Sequence, residues 1–104
     1  MSNSANPAET GASVSHNVYF DGKVQSLGLD TEKGPATLGV MKKGSYKFGT
    51  SSTETIIVIS GTMKTKLPNA EWQQHQLQQA FEVPAGISFD VACESDVAYI
   101  CYYA

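Results

Sequence analysis

The sequence predicts an all-β domain. Its 104 residues contain about nine or ten short apolar or alternating runs, spaced roughly 8–12 residues apart as in β-sandwiches and barrels. No stretch repeats an apolar face at the period of a helix. The most apolar run, Ile56–Ile59, follows Glu54 and stops at Ser60 and Gly61, which is typical of a buried strand that ends in a tight turn. This pattern leaves Greek-key sandwich, jelly roll and up-and-down barrel open.

The predicted elements follow one another from the N-terminus. The first 15 residues are small and polar, so we expect a flexible tail before a domain that spans residues 16–104. Val18–Phe20 predicts a strand, Asp21 and Gly22 a turn, and a loop is expected over Asp30–Pro35. Further strands are predicted from Lys23 and over residues 36–41, 46–50, 54–60, 62–67, 81–83, 87–92 and 97–103, while residues 73–79 form a strand or a loop.

Composition limits the classes of partner. Seven Lys, no Arg and ten acidic residues give a net charge of −3, which lacks the basic footprint of a nucleic-acid-binding domain. Without Arg, a site for an anion must use Lys, hydroxyl groups or backbone N–H groups. The N-terminus shows no basic start followed by an apolar run, and no segment is long enough to span a bilayer. We therefore expect a cytoplasmic protein without a membrane partner.

Cysteine and histidine supply no recognisable metal or redox motif. Cys93 and Cys101 are expected to be free thiols in the core, because two thiols form no disulfide framework. His16 and His75 each stand alone, without a second ligand at metal-binding spacing. Each is therefore interpreted as a surface or hydrogen-bonding residue.

Two spaced motifs narrow the choice of fold. Glu54 followed by Gly61, and the turn Pro84-Ala-Gly86 followed by Phe89, are similar to the paired motifs of the cupin superfamily. This resemblance implies a cupin-type double-stranded β-helix, a single jelly-roll barrel. Metal cupins carry three histidines where this chain has Phe48, Thr50 and Phe89, so one carboxylate remains of four expected ligands. The resemblance therefore implies a metal-free pocket lined by aromatic side chains.

A longer series of motifs resembles one family of small bacterial cupins, the pyrimidine/purine nucleoside phosphorylases. The resemblance covers residues 16 to 103 and implies a homodimer. It also implies phosphate-dependent cleavage of purine and pyrimidine nucleosides to free base and ribose 1-phosphate, with phosphate as co-substrate and no cofactor. The motifs that carry it are Tyr19-Phe-x-Gly-Lys-Val24, Ser26-x-Gly28, Gly39-Val-Met41, Gly44-x-Tyr46-x-Phe48, Ile59-Ser-Gly61, Leu67-Pro68, Trp72, Phe81-x-Val-Pro84 and Tyr99-x-Cys101-x-Tyr103.

Strand alternation and the cupin analogy together select the site residues. Alternation places Tyr46, Phe48 and Thr50 on one face, and the analogy turns that face inward with Glu54 and Phe89. The expected roles are stacking on base or sugar for the three aromatics and a hydrogen bond to phosphate or ribose for Thr50. Glu54 is the expected catalytic residue, which holds ribose hydroxyls or stabilises the cationic sugar.

Tyr102 is a further expected substrate-binding residue. The resemblance places it where the family often has a basic residue before the final conserved tyrosine. Lys42, Lys43 and Lys47 are expected to form a solvated turn, so phosphate would rest on hydroxyls and backbone N–H groups. An alternative reading is a non-catalytic, metal-free cupin that binds a small metabolite. A third possible function is that of a metal-dependent dioxygenase, which is disfavoured because only one of the four expected metal ligands is present.

Overall fold

Ten strands pair into two antiparallel sheets in the computed structural model, which describes residues 14–104. The six-stranded sheet has the order β1-β2-β3-β10-β5-β8, and the four-stranded sheet has the order β4-β9-β6-β7. The strands are β1 (His16–Tyr19), β2 (Val24–Thr31), β3 (Gly34–Met41), β4 (Gly44–Gly49), β5 (Glu54–Ser60), β6 (Met63–Lys66), β7 (Gln73–His75), β8 (Ala80–Val83), β9 (Ser88–Cys93) and β10 (Val97–Tyr103).

The core lies between the inner faces of the two sheets. Its members come from both sheets because each strand turns alternate side chains inward. The largest fully buried side chains are Met63, Val24, Val58, Val83, Val91, Val97 and Thr65. The predicted all-β fold is confirmed, and a single 3-10 turn, Phe20–Gly22, is the helical element among residues 14–104.

Strand β5 lies between β10 and β8, so the predicted strand is confirmed, but it is buried on one face only, because Ile59 is 42% exposed. Ile56 and Val58 are buried on its inner face. The strand ends at Ser60, and Gly61 adopts a φ of 87° in the turn to β6. A Cβ at Gly61 would lie 2.6 Å from the Asp96 carbonyl oxygen. The turn therefore requires glycine for both its backbone angle and its close approach.

Most predicted strands begin or end one or two residues away from the observed ones, and two predicted turns differ in a way that the structure explains. The loop expected over residues 30–35 shrinks to Glu32 and Lys33, because Thr31 pairs with Gly34 and its Oγ1 donates to the Gly34 carbonyl at 2.7 Å. At the other turn, Phe20 leaves strand β1 with a φ of 52°. Residues 73–79 contribute the short strand β7 and then irregular backbone.

The expected tail of residues 1–15 falls mostly outside the described residues and stays a prediction. Of its last residues, Ser15 accepts a hydrogen bond from Gly28 N at 2.9 Å. Cys93 and Cys101 are both free and buried, in agreement with the interpretation as core thiols. Within residues 14–104, no helix has the length and apolar character needed to cross a membrane.

Candidate functional site

A cavity of about 280 Å³ lies between the two sheets. This volume is near the lower end of the range for small-molecule sites, about 300 Å³. One wall is aromatic and comes mainly from β4, β9 and the turn before β2, while the opposite side is polar and comes mainly from β10 and β5. We call these surfaces the aromatic wall (Phe20, Phe48 and Phe89) and the polar floor (Thr37, Glu54, Tyr99, Cys101 and Tyr103).

The aromatic wall follows from the pairing of β4 with β9. Phe48 lies directly opposite Phe89 in this ladder, and their ring centroids are 6.1 Å apart with an interplanar angle of 35°. Phe20 meets Phe48 edge to face, with centroids 5.5 Å apart and an angle of 83°. Cross-strand aromatic pairs at such distances stabilise a sheet and leave a π-face for a flat ligand.

The polar floor follows from the alternation of β10. Tyr99, Cys101 and Tyr103 all turn inward and line the cavity. A Cβ at Gly39, on the neighbouring strand β3, would overlap the Tyr99 ring. Glycine at position 39 is therefore what allows the Tyr99 ring to lie flat against the sheet.

Glu54 is the ionisable carboxyl group of the floor. Its Oε1 accepts a hydrogen bond from the Cys101 thiol at 3.4 Å. Burial raises the pKa of Glu54, and the thiol hydrogen bond offsets part of that rise. Burial together with the Glu54 charge also raises the pKa of Cys101 to about 12. The thiol is thus protonated at neutral pH and acts as a donor to the carboxylate.

Two tyrosine hydroxyls complete the floor. The hydroxyl of Tyr103 lies 2.9 Å from Thr37 Oγ1. Burial raises the pKa of both Tyr99 and Tyr103 far above the ordinary tyrosine value. The floor therefore presents neutral hydroxyl and thiol groups around one carboxyl group, a set that suits a polyhydroxylated ligand.

The structure brings three of the six predicted site residues to the cavity, namely Phe48, Glu54 and Phe89. Tyr46 is buried in the core and its hydroxyl donates to the Lys42 carbonyl at 2.6 Å. The Tyr46 ring packs against the rings of Phe20 and Phe48, at centroid distances of 5.0 and 6.2 Å.

The structure does not bring Thr50 to the cavity. Its Oγ1 donates to the Pro84 carbonyl at 2.7 Å and accepts from Ile87 N at 3.2 Å. The Thr50 carbonyl also accepts from Gly86 N at 2.9 Å. These bonds tie Thr50 to both ends of the Pro84–Gly86 turn, so its hydroxyl is occupied in holding the turn that leads into β9.

Tyr102 lies on the outer face of the six-stranded sheet. It sits one residue from Cys101 and Tyr103, and a strand turns successive side chains to opposite faces. Its ring lies beneath the Lys33 ammonium, with Nζ 5.4 Å from the ring centroid. The inward residues Tyr99, Cys101 and Tyr103 were not predicted as site residues, although their spacing of two along the last strand is visible in the sequence.

The lysines are turned to solvent, as predicted for a charged turn. Lys47 lies at the rim of the cavity, but its side chain is exposed and its Nζ lies 3.1 Å from Asp90 Oδ1. Lys42 pairs with Asp96 at 2.7 Å, and Lys43 N donates to the same carboxylate at 2.8 Å. The ammonium groups of Lys42 and Lys47 are thus paired with acidic groups at the surface.

The donor set does not fit the metal ion of metal cupins. The cupin resemblance assigns the three histidine positions to Phe48, Thr50 and Phe89, and residues 14–104 contain no cluster of three His, Cys, Asp or Glu side chains that could hold a metal. His75 is buried; its Nε2 lies 2.8 Å from Thr65 Oγ1, and its ring stacks on Phe81 at 3.7 Å. This confirms the interpretation of His75 as a hydrogen-bonding residue.

Comparison with known proteins supports the resemblance from both sequence and fold. A relative from Pseudomonas aeruginosa named pyrimidine/purine nucleoside phosphorylase is 46% identical over 88 residues, which is 84% of this chain and 95% of that protein. A relative of the same name from Alcanivorax borkumensis is 48% identical over 88 residues, 84% of this chain and 94% of that protein.

Solved structures agree with the architecture. A protein of unknown function from Vibrio parahaemolyticus superposes with a TM-score of 0.84 at 34% identity, over 89% of this chain and 100% of that chain. A cupin superfamily protein from Desulfitobacterium hafniense superposes with a TM-score of 0.63 at 14% identity, over 75% of this chain and 73% of that chain. The second likeness concerns the fold alone, and it confirms the predicted cupin-type barrel.

The sequence profile of one family covers nearly the whole domain. The profile described as pyrimidine/purine nucleoside phosphorylase matches residues 14–103. The match spans all ten strands and every residue of the aromatic wall and the polar floor. The chain therefore belongs to the pyrimidine/purine nucleoside phosphorylase family.

Proposed function

We propose that this protein is a broad-specificity nucleoside phosphorylase that converts purine and pyrimidine nucleosides and inorganic phosphate to free base and ribose 1-phosphate. The observation that carries the proposal is the pairing of an aromatic wall with a polar floor across one cavity. A nucleoside has the same two-sided chemistry, a flat base and a ribose rich in hydroxyls. Membership of the pyrimidine/purine nucleoside phosphorylase family supports this reaction class.

The aromatic wall supports broad base specificity. Phe48 and Phe89 would stack on the base, and stacking tolerates any base because each has a π-face. The three phenylalanines of the wall carry no carboxylate or amide that could form a hydrogen bond with the edge of a base. Discrimination between purines and pyrimidines would therefore be weak at this surface.

The polar floor supports the sugar chemistry. In phosphorolysis a phosphate oxygen forms a bond to C1′ while the C1′–N bond breaks and its electron pair leaves with the base, which then takes up a proton. The sugar becomes cationic in the transition state. The Glu54 carboxylate would stabilise that charge or hold the ribose hydroxyls, in a half-buried setting where such interactions are stronger than in water.

Phosphate binding would rest on neutral donors. Tyr99 and Tyr103 bring protonated hydroxyls into the cavity, whereas the Lys47 ammonium lies at the rim beside Asp90. A hydrogen bond from a neutral hydroxyl to a phosphate oxygen is charge-assisted, and it is therefore stronger than one between two neutral groups. The scheme uses no cofactor.

We also propose a cytoplasmic homodimer formed through the outer face of the six-stranded sheet. Leu27, Leu38, Ile100 and Ile57 are consecutive cross-strand neighbours on β2, β3, β10 and β5 and form one apolar row. Leu38 is 48% exposed and Val40 is 54% exposed. A continuous aliphatic face of this kind is typical of a protein–protein interface.

The proposed activity is tested by release of free base from uridine, guanosine and adenosine, with and without inorganic phosphate. We expect phosphate-dependent release by the parent and a loss of about a hundredfold in Glu54→Gln, the scale for removing one group that stabilises transition-state charge. Glu82→Gln is the matched control, because Glu82 is exposed on β8 outside the cavity. Its activity should equal that of the parent.

Two outcomes would contradict the proposed reaction, and a third would contradict the proposed role of Glu54. Phosphate-independent release would indicate hydrolysis by water. An absence of release from folded parent protein would leave a metal-free cupin that binds a small metabolite. Equal turnover by the parent and Glu54→Gln would remove Glu54 from the catalytic role.

A further inference from the structure

The turn between β1 and β2 has a left-handed backbone at the mouth of the cavity. Phe20, Asp21 and Gly22 have φ angles of 52°, 57° and 87°. Glycine adopts this region freely and aspartate adopts it more readily than most residues, but a bulky aromatic residue is rarely found there. Contacts made by the Phe20 side chain must therefore hold its backbone in this conformation.

Those contacts are aromatic. The Phe20 ring lies 5.0 Å from the Tyr46 ring and 5.5 Å from the Phe48 ring, centroid to centroid. It lines the cavity, yet 41% of the residue is exposed. Phe20 therefore lies at the border between the cavity and solvent.

The orientation of the two rings leaves no slot for a base between them. Phe20 and Phe48 meet edge to face, at an interplanar angle of 83° and a centroid distance of 5.5 Å. A planar base held between two rings needs them parallel and about 7 Å apart, about 3.5 Å on each side. A base can therefore be enclosed between Phe20 and Phe48 only if Phe20 moves outward and turns its face towards Phe48.

We propose that Phe20 is a mobile aromatic lid, which moves outward to admit a nucleobase and then stacks on the face of that base opposite Phe48. Phe20 becomes the outer wall of the base subsite and a determinant of how many bases the site accepts. This inference rests on the proposed nucleoside substrate and adds a binding residue that strand alternation does not select.

The attachment of Phe20 permits this movement. The β1–β2 ladder ends at the pair Tyr19 and Val24, so Phe20 lies beyond the sheet hydrogen bonds. Its carbonyl accepts one turn hydrogen bond, from Lys23 N at 3.1 Å. Gly22 adds no side chain to the turn. When Phe20 moves, contact of its ring with a base would replace the contacts that it makes with Tyr46 and Phe48.

The test uses protein labelled throughout with 4-fluorophenylalanine and observed by fluorine NMR. The chain has four phenylalanines, and single Phe→Leu variants assign their signals. Adenine and uracil are titrated as free bases, so the readout does not depend on turnover. We expect the Phe20, Phe48 and Phe89 signals to shift with one saturation curve. The Phe81 signal should stay in place, because Phe81 stacks on His75 outside the cavity.

Variants at position 20 give a second readout. Phe20→Leu keeps an apolar side chain and removes the π-face, so the dissociation constant for each base should rise about tenfold. Phe20→Tyr keeps the π-face and should bind like the parent. Val18 is an exposed apolar residue outside the cavity, on the adjoining strand β1. Val18→Ala is therefore the matched control and should leave the constant unchanged.

The outcomes separate this inference from the proposed reaction. Saturable shifts at Phe20 without phosphorolysis would support the lid and contradict the phosphorylase. Phosphorolysis with shifts at Phe48 and Phe89 but none at Phe20, or equal binding by Phe20→Leu, would overturn the lid alone. An absence of any shift with millimolar base would overturn the lid as well.

Discussion

The two faces of β10 show how one strand serves two purposes. Tyr99, Cys101 and Tyr103 point into the cavity, where burial raises the pKa of each group. Ile100 and Tyr102 point outward, and the Tyr102 ring lies beneath the Lys33 ammonium. The inner face holds neutral donors next to a carboxyl group, whereas the outer face belongs to an aliphatic surface.

The comparison teaches that residue type alone does not identify a functional tyrosine. Three tyrosines occur within five residues of this strand, and their parity decides which of them reach the cavity. Gly39 then decides how Tyr99 lies, because glycine leaves room for its ring. Chemistry at this site is thus set by register and by one small neighbour.

The largest expected effect comes from a charge at the centre of the outer face, which should disrupt the proposed dimer. We expect Leu38→Asp to convert the proposed dimer to a monomer, because an unpaired carboxylate cannot be buried in an apolar interface. Leu38 lies between Leu27 and Ile100 in the apolar row. Light scattering coupled to gel filtration measures the mass of each protein at micromolar concentration.

The control for this change is Leu77→Asp. Leu77 is also an exposed leucine, at 57%, but it lies in the irregular segment after β7. This variant should keep the mass of the parent. A monomeric parent, or a dimeric Leu38→Asp, would show that the outer face is not the interface.

The two faces are compared directly by removing one hydroxyl from each. Tyr99→Phe should lower kcat/KM for phosphorolysis about tenfold, which corresponds to the loss of one hydrogen bond of about 1.4 kcal/mol to the substrate. Tyr102→Phe should change kcat/KM less than twofold, because its hydroxyl lies outside the cavity. Both proteins keep the aromatic ring, so steady-state assays compare like with like.

The reverse order of effects would place the reaction on the outer face of the sheet. Such a result would favour Tyr102, which the resemblance implies as a substrate-binding residue. Equal, small effects would indicate that Tyr99 packs against Gly39 without contact to substrate. Thermal unfolding of both variants should match the parent, since neither change opens a cavity.

Much of the fold could be predicted because apolar period and glycine turns act locally. The run Ile56–Ile59 and the turn at Gly61 specify a strand and its end without knowledge of any partner. The limits of the loop over residues 30–35 could not be predicted in the same way. They depend on the pairing of Thr31 with Gly34, which is a property of two strands together.

The site could be predicted only in part for the same physical reason. Phe48 and Phe89 follow from alternation within single strands, and Glu54 follows from a spaced motif. Thr50 shares the parity of Phe48, but its hydroxyl is taken by the Pro84–Gly86 turn. That competition depends on contacts 34 and 37 residues away along the chain. Strand alternation could not predict the position of Phe20, because Phe20 lies in a turn.

The smallest expected effect concerns the charge of Glu54 and the stability of the fold. Burial raises the pKa of Glu54 in the folded protein above its unfolded value. The folded state therefore prefers the protonated form, and this contribution to stability is complete below the unfolded pKa and is lost as pH rises through the folded pKa. Glu54→Gln resembles the protonated form at every pH. Its melting temperature should exceed that of the parent near neutral pH, on the order of a degree or two.

The difference between the two melting curves should shrink as pH falls from neutral towards about pH 4. Burial lowers the pKa of His75, which makes both proteins lose stability in acid, but this effect is common to the pair and cancels in the difference. Scanning calorimetry of parent and variant over this range measures it. A difference that is constant with pH, or that grows in acid, would mean that Glu54 is stabilised as a carboxylate by its neighbours. The inner face of β10 would then provide enough hydrogen bonds, from Cys101 and the tyrosine hydroxyls, to outweigh the loss of solvent around the charge.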